Sequence, residues 1–446
     1  MSSFRKDFIW GVGSACVQIE GASFIDGKGV SNWDVFGKMD NICYQNQTSD
    51  DGTDSYNRYK EDIALAKKLG VQAFRFSFSW TRILPDGTGK INEKGLKFYD
   101  ALIDEIIKAG MKPFATIFHW DYPFELYKKG GWLSPESPFW FLEYAKVVID
   151  RYKDKISHWV PINEPPNVVE VGGQSLRATF SVKERLQMVH NILLAHGYTA
   201  KYLKELNCIV GTALCSSLYA PNDENNQKDI EAARKALFAA PRNDTWKIAL
   251  WADPIFLGKY PDEYYEIYTE FERPIISEED MKIISTPLDF YGQNLYTGSP
   301  VTSTEDGGFK ILNHPIGNPK TNMDWEVYPK IMYWAAKFLT ERYKKPFFIM
   351  ENGCAVTDII TEDKKIHDGA RVEFYKQYLK QLHRAYEDGV DVRGFINWAL
   401  LDNYEWFMGY SKRFGIVYVD YSTKERFEKD SYYTYKEIVE SNGENL

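Results

Sequence analysis

The chain is short of everything that metal, nucleic-acid or membrane chemistry asks for. Its seven histidines show no HxH or HExxH spacing, so metal catalysis is not expected and no metal ligand is assigned. Lys and Arg number 54 against 63 Asp and Glu, a net charge of −9. A phosphate backbone or an anionic bilayer attracts a basic stripe, so neither partner is expected. Apolar runs stay far below the length of a membrane-spanning helix. Met1-Ser2-Ser3-Phe4-Arg5-Lys6-Asp7-Phe8 lacks the pattern of a secretory signal. The five cysteines, Cys16, Cys43, Cys208, Cys215 and Cys354, are odd in number and lack CxxC spacing. A reducing, cytoplasmic compartment is the expectation. Under it, the glycosylation triplets Asn46-Gln47-Thr48 and Asn243-Asp244-Thr245 are accidental. Gly11-Val12-Gly13 begins a dinucleotide fingerprint, but Cys16 stands where the third glycine belongs, and no cofactor is expected. No linker, low-complexity tract or charge block divides the chain.

What is present is a core and a surplus of aromatics. Hydrophobic residues make up 44% and charged residues 26%, the balance of a soluble globular protein. With 30 Tyr, 27 Phe and 13 Trp, many rings must be core, but several stand beside polar residues where a ligand could stack. The pattern reads as strand, polar strand end, loop, helix, repeated. Strands are expected at 8–19, 71–80, 111–118, 156–162, 209–214, 289–296, 347–350 and 392–400. Helices are expected near 54–69, closed by Gly70, and from Asn92 to Gly110. Others are expected from a Ser134-Pro135-Glu136 start to about 152, then near 182–206, 328–343 and 368–387. A long helical and irregular region covers 229–284. Eight such units in one stretch, residues 1–446, argue for a single-domain (β/α)8 barrel (a TIM barrel) of the α/β class with extended βα loops. A doubly wound sheet is the alternative, without its phosphate-binding glycines.

In a barrel the C-terminal strand ends face one pocket. Here those ends carry Gln18, Trp80, His119, Trp120, Asn163, Glu164, Asn294, Tyr296, Glu351 and Trp398, with Glu405 and Trp406 on the loop beyond the last strand. Taken alone, Glu351 after Phe347-Phe348-Ile349-Met350 reads as a helix cap or an ion-paired acid. Together, the carboxylates, amides, histidine and indoles suit an uncharged polyol such as a sugar. Two carboxyls in one pocket can hydrolyse a glycosidic bond, one ionised and attacking, the other held protonated for the leaving oxygen.

Gln18-Ile19-Glu20-Gly21, Phe118-His119-Trp120-Asp121, Asn163-Glu164-Pro165, Asn294-Leu295-Tyr296, Glu351-Asn352-Gly353 and 397–406 (NWALLDNYEW) resemble, in order along nearly the whole chain, glycoside hydrolase family 1, the β-glucosidase family. The resemblance implies a retaining mechanism with Glu351 as nucleophile and Glu164 as acid/base. Tyr296 would hold the nucleophile, Arg75 would lie beside it, and Asn163 would contact the sugar 2-hydroxyl. Gln18, His119, Glu405 and Trp406 would bind the remaining hydroxyls, Asn294 would join the substrate contacts, Trp398 would floor the sugar, and Trp325 would wall the entrance. Phospho-glycosidases of the family carry a serine in place of the loop glutamate, with a lysine and a tyrosine further on; this chain has Glu405, Lys412 and Phe414. A carboxylate repels phosphate, so the expected substrates are unphosphorylated β-glucosides or oligosaccharides, with Phe414 lining the site and Lys412 outside it. β-Galactosyl and β-fucosyl residues are further candidates. Three departures fall near the leaving group: Pro166 where Trp or Phe is common, the divergent segment 171–180, and Cys354 after the nucleophile motif. They imply an unusual aglycone or a reshaped entrance. A transglycosylase on the same site and a non-catalytic sugar-binding barrel remain as other readings, and a homo-oligomer is open.

Overall fold

The protein is described by a computed structural model covering residues 2–175 and 179–446, with backbone alone for 171–175. Strands Ile9–Gly13, Ala73–Ser77, Lys112–Phe118, His158–Ile162, Tyr291–Asn294, Phe347–Asn352 and Val392–Asn397 form one parallel sheet. The first and last pair directly, Ile9 with Gly394 and Val12 with Asn397. The gap between His158–Ile162 and Tyr291–Asn294 is filled by segment 209–214. It makes isolated parallel bridges on both sides, Trp159 with Val210, Asn163 with Ala213, Gly211 with Phe290 and Leu214 with Gln293. The eight staves of a (β/α)8 barrel are thus in place, one of them irregular. Gly292 permits this close approach, because a Cβ there would lie 2.0 Å from the Thr212 carbonyl oxygen.

The strand residues sort by face. Phe74 and Phe76 point outward into the large core beneath the helices. Ile9, Ala73, Phe114, Val160, Ala213, Phe290, Phe348, Met350 and Ile396 fill the barrel interior as a separate apolar plug. Phe348 packs on Phe290 with ring centres 4.9 Å apart. Each such buried ring contributes about 2–3 kcal/mol relative to exposure. On the same strand as Phe74, the inward Arg75 and Ser77 are also buried.

Several local expectations shift. The first strand stops at Gly13, and Gln18 sits on a helical turn, Cys16–Ile19, rather than on an extended strand. Trp80 is not at the pocket. It opens the turn Trp80–Ile83, stacks on Tyr144 at 4.9 Å and donates its indole N–H to the Gly87 carbonyl. The helix expected at Ser134 begins at Ser137, with Pro138 in its first turn. Asn92 precedes Glu93–Lys108, but its side chain donates to the Asp26 and Arg82 carbonyls instead of capping that helix. Helices Ser55–Leu69, Val182–Glu205, Ile331–Tyr343 and Gly369–Glu387 fall where periodicity puts them, the first closed by Gly70 in the left-handed region. The extended loops form two small sheets of their own, Tyr219–Pro221 with Ser299–Ser303 and Phe309–Ile311, and Val417–Val419 with Arg426–Glu428. No helix among the described residues is long and apolar enough to cross a membrane. The cysteines are free and buried.

A buried ion cluster locks the loops that follow the last two strands. Arg371 pairs with Asp358 and Asp368 and donates to the Cys354 and Arg413 carbonyls. Lys429, at the entry to helix Asp430–Glu440, bridges Asp358 and Asp402 at 2.6 and 2.7 Å. Asp402 also accepts from Arg413 and from the Gly415 amide. The side chains of these acids are buried, so removing Arg371 leaves Asp368 without a cation and Asp358 with Lys429 alone. Arg371→Met should therefore cost about 3–5 kcal/mol of stability in denaturant unfolding; a cost under about 1 kcal/mol would mean that the cluster is not needed.

Candidate active site

Arg75, rising from the apolar plug, is the centre of the site. Its Nη1 donates to Glu351 Oε1 at 2.5 Å and to the Met350 carbonyl at 3.1 Å. Its Nη2 donates to Asn163 Oδ1 at 2.6 Å, and its Nε to Thr116 Oγ1 at 3.2 Å. Three other strands are thus read by one planar cation. The other Glu351 oxygen accepts from the Tyr296 hydroxyl at 2.7 Å. Burial, followed by the charges of Glu351 and Glu164, pushes the Tyr296 phenol well above its ordinary value, so it stays a donor. Gly353, just after Glu351, lets the chain turn against the last strand; a Cβ there would meet the Trp398 carbonyl at 1.8 Å.

Glu164 sits differently. It ends its strand in a left-handed conformation, φ 45°, and heads the helix Pro165–Ser175. Asn294 Nδ2 donates to its Oε1 at 2.8 Å and Asn167 Nδ2 to its Oε2 at 2.5 Å. Burial first, and then the negative charge of Glu351, push its carboxyl up to about 8; the two amides and the Arg75 charge hold it back. The two glutamates therefore occupy opposed environments, one against a guanidinium, the other among neutral amides.

Asn163 ties the halves together. Its oxygen accepts from Arg75 and from Asn294 at 3.2 Å, so its amide nitrogen is the donor toward His119 Nε2 at 3.1 Å. Burial and the Arg75 charge push His119 well below the usual range, and the neutral ring carries its proton on Nδ1. The His119 ring lies nearly parallel to Trp398 and Trp406, each 5.8 Å away. Gln18 Nε2 donates to Glu405 Oε2 at 3.2 Å as well as to Asn403 and the Tyr404 carbonyl. Burial, then Glu351 and Glu164, push Glu405 up to about 8. Trp325 stands between Tyr296 and Phe414, with ring centres 5.3 and 6.0 Å away.

These side chains surround a cavity of about 480 Å³, lined among others by His119, Glu164, Asn294, Tyr296, Trp325, Glu351, Trp398, Glu405, Trp406 and Phe414. Gln18, Asn163 and Arg75 are hydrogen-bonded to these lining residues, to Glu405, His119 and Glu351 in turn. Lys412 is outside, donating to the Asn322 carbonyl. Buried polar atoms without a protein partner among the described residues gather here: His119 Nδ1, Gln18 Oε1, Asn294 Oδ1 and Ser216 Oγ. Such atoms are costly unless a ligand or water meets them, and a polyhydroxyl ligand does. Thr116, Asn167, Ser216 and Trp246 were not singled out from the sequence. Asn167 alone had a readable signal, three residues after Glu164 at the head of a helix. Of the divergent segment, the side chains of 171–175 and all of 176–178 lie outside the described residues. Pro166 is buried, and Cys354 is buried with its thiol pushed up to about 12 by the surrounding apolar packing.

The sequence profile of glycosyl hydrolase family 1 matches residues 1–444. A 1,4-β-D-glucan glucohydrolase of Thermotoga neapolitana is 40% identical over 449 residues, covering 99% of both chains. β-Glucosidase A of Acetivibrio thermocellus is 40% identical over 451 residues, again covering 99% of each. The structure is similar to that of a Thermotoga maritima β-glucosidase in complex with glucoimidazole, with a TM-score of 0.89, 39% identity and 99% coverage of both.

The raised Glu164 pKa has a consequence for stability. Between the ordinary value of 4.5 and about 8, the folded protein holds a proton that the unfolded chain releases. This contribution is complete below pH 4.5 and is lost as pH rises through about 8. The melting temperature should fall across that window, and Glu164→Gln should flatten the fall. An unchanged slope in the variant would place the proton elsewhere.

Proposed function

The chain belongs to glycosyl hydrolase family 1, and on that premise we propose that it is a retaining β-glucosidase acting on terminal non-reducing β-D-glucosyl residues. The supporting observation is the opposed pair in one cavity: Glu351 held by Arg75 and Tyr296, Glu164 buried among amides and pushed up to about 8. In the first step a Glu351 oxygen attacks the anomeric carbon while protonated Glu164 gives its proton to the departing oxygen, and the glycosidic bond breaks. In the second, ionised Glu164 takes a proton from water; that water displaces Glu351 from the anomeric carbon and the sugar leaves with its β configuration restored. Arg75 and Tyr296 aim the nucleophile, and Asn163 presents its amide nitrogen to the sugar's 2-hydroxyl. His119, Gln18, Glu405 and Asn294 meet hydroxyls, while Trp398 and Trp406 offer indole faces to the ring. Phe414 and Trp325 close the side near Tyr296. A glucose ring without phosphate suits this lining, because Glu164, Glu170, Glu351 and Glu405 line the cavity and no lysine or arginine among the described residues does, so an added anion would find no cation there. Related proteins bear β-glucosidase and glucan glucohydrolase names, which accords with this reading.

Glu351→Ala should lower turnover of an activated aryl β-glucoside by at least about 10⁴-fold. Azide should restore it and yield the α-glucosyl azide, because the small anion attacks from the vacated face. Undiminished turnover, or a β-azide product, would overturn the nucleophile assignment. Asn167→Leu removes a donor to ionised Glu164 and should move the alkaline limb of kcat/KM to higher pH, leaving the acid limb in place. An alkaline limb that stays put would show that Asn167 does not tune the acid.

A further inference from the structure

Loop 405–409 carries two of the residues that meet the sugar in the reading above, and it is held from outside by a stretch with no part in that reading. The loop closes on itself: the Glu405 amide donates to the Gly409 carbonyl at 2.7 Å, and the Gly409 amide to the Trp406 carbonyl at 3.0 Å. A tyrosine flanks it on each side, and both are tied to residues 43–48. The Tyr404 hydroxyl lies 3.1 Å from the Gln47 carbonyl and 3.1 Å from Cys43 Sγ. The Tyr410 hydroxyl donates to the Thr48 carbonyl at 2.9 Å, and the Tyr410 amide donates to Gln47 Oε1 at 2.7 Å. Gln47 thus reaches both ends of the loop, one through its backbone and the other through its side chain. The fit is close: a Cβ on Gly409, where φ is 55°, would lie 2.2 Å from Gln47 Oε1. The stretch itself is strained. Gln45 and Asn46 adopt φ of 51° and 55° in succession, and Asn46 Oδ1 accepts from the Asn41 amide at 2.9 Å. Two neighbouring residues with side chains enter the left-handed region only where their surroundings impose it. The turn that they make delivers Gln47 to the loop.

We propose that Gln47 is a positioning residue for the sugar. By accepting the Tyr410 amide it fixes where the loop presents the Glu405 carboxyl and the Trp406 indole, and so sets the affinity for the glucosyl ring rather than the rate of bond breaking. Glu351 and Glu164 are held by Arg75, Tyr296, Asn294 and Asn167, none of which touches this contact. The assignment rests on the proposed function, since that reading puts a sugar against Glu405 and Trp406.

The test compares Gln47→Met, which keeps the length of the side chain but loses the amide oxygen, with Gln47→Glu, which keeps an acceptor. On an aryl β-glucoside, Gln47→Met should raise KM about fivefold, the size of one lost hydrogen bond, with kcat within about twofold of the parent. The inhibition constant of glucose should rise by the same factor. Gln47→Glu should keep both constants within about twofold of the parent. Neither constant depends on how much of the protein is folded, so partial misfolding cannot imitate the shift. An unchanged KM and glucose inhibition in Gln47→Met, a loss confined to kcat, or an equal shift in Gln47→Glu would overturn the assignment of Gln47 while the catalytic pair stands. If the parent protein hydrolyses no β-glucoside, the proposed function fails and the assignment of Gln47 falls with it.

Discussion

The site depends on one buried guanidinium. Arg75 is 1% exposed and sits directly above an apolar plug, where an unpaired cation would be strongly disfavoured. It is tolerated because each nitrogen finds an acceptor, on Glu351, Met350, Asn163 and Thr116. That requirement works in both directions. The acceptors must come to the arginine, so three other strands are drawn to fixed positions. Glu351, Asn163 and, through Asn294, Glu164 are therefore parts of one hydrogen-bonded unit. Deleting any member leaves others unsatisfied.

Around this centre the molecule separates two kinds of carboxyl by neighbours alone. Glu351 and Glu164 share a cavity, and each feels the other, but only one touches a cation. The strain is local and visible: Trp120, Glu164 and Trp406 all adopt positive φ, a conformation that costs about 1–3 kcal/mol for such residues. It is carried by firm surroundings. The Trp120 indole donates to the Asn163 carbonyl at 2.9 Å, and the loop bearing Glu405 and Trp406 follows Asp402, which the Arg371 cluster anchors.

Barrel architecture was legible because its signals are periodic. Alternation in 73–77 and the apolar run at 347–350 define strands whatever their neighbours are. Glu164, Glu351, Tyr296 and Asn163 were legible because they stand at strand ends inside recognisable motifs. The failures have physical causes. Trp80 follows a strand by only three residues, but it opens a helical turn of its own and packs against Tyr144. Ser134 has a cap's chemistry, yet the chain makes another turn before the helix begins at Ser137. Segment 209–214 reads as a strand and does close the barrel, but its ladder is broken into isolated bridges. Asn167, Ser216 and Trp246 come from three elements with no common spacing, and only folding puts them on one wall.

The pairing of the first strand with the last has a consequence in time. Ile9 is made long before its partner Gly394 and the clamp residue Lys429. During synthesis the strand Ile9–Gly13 waits, one edge uncovered, until Val392–Asn397 has been made. Glu351 emerges before the cation of Lys429 that helps to anchor its neighbouring loops. A polypeptide cut short by a premature stop before residue 397 thus has no closed barrel and no complete sugar pocket. Activity in a cell extract therefore reports translation past the last barrel strand as well as amount.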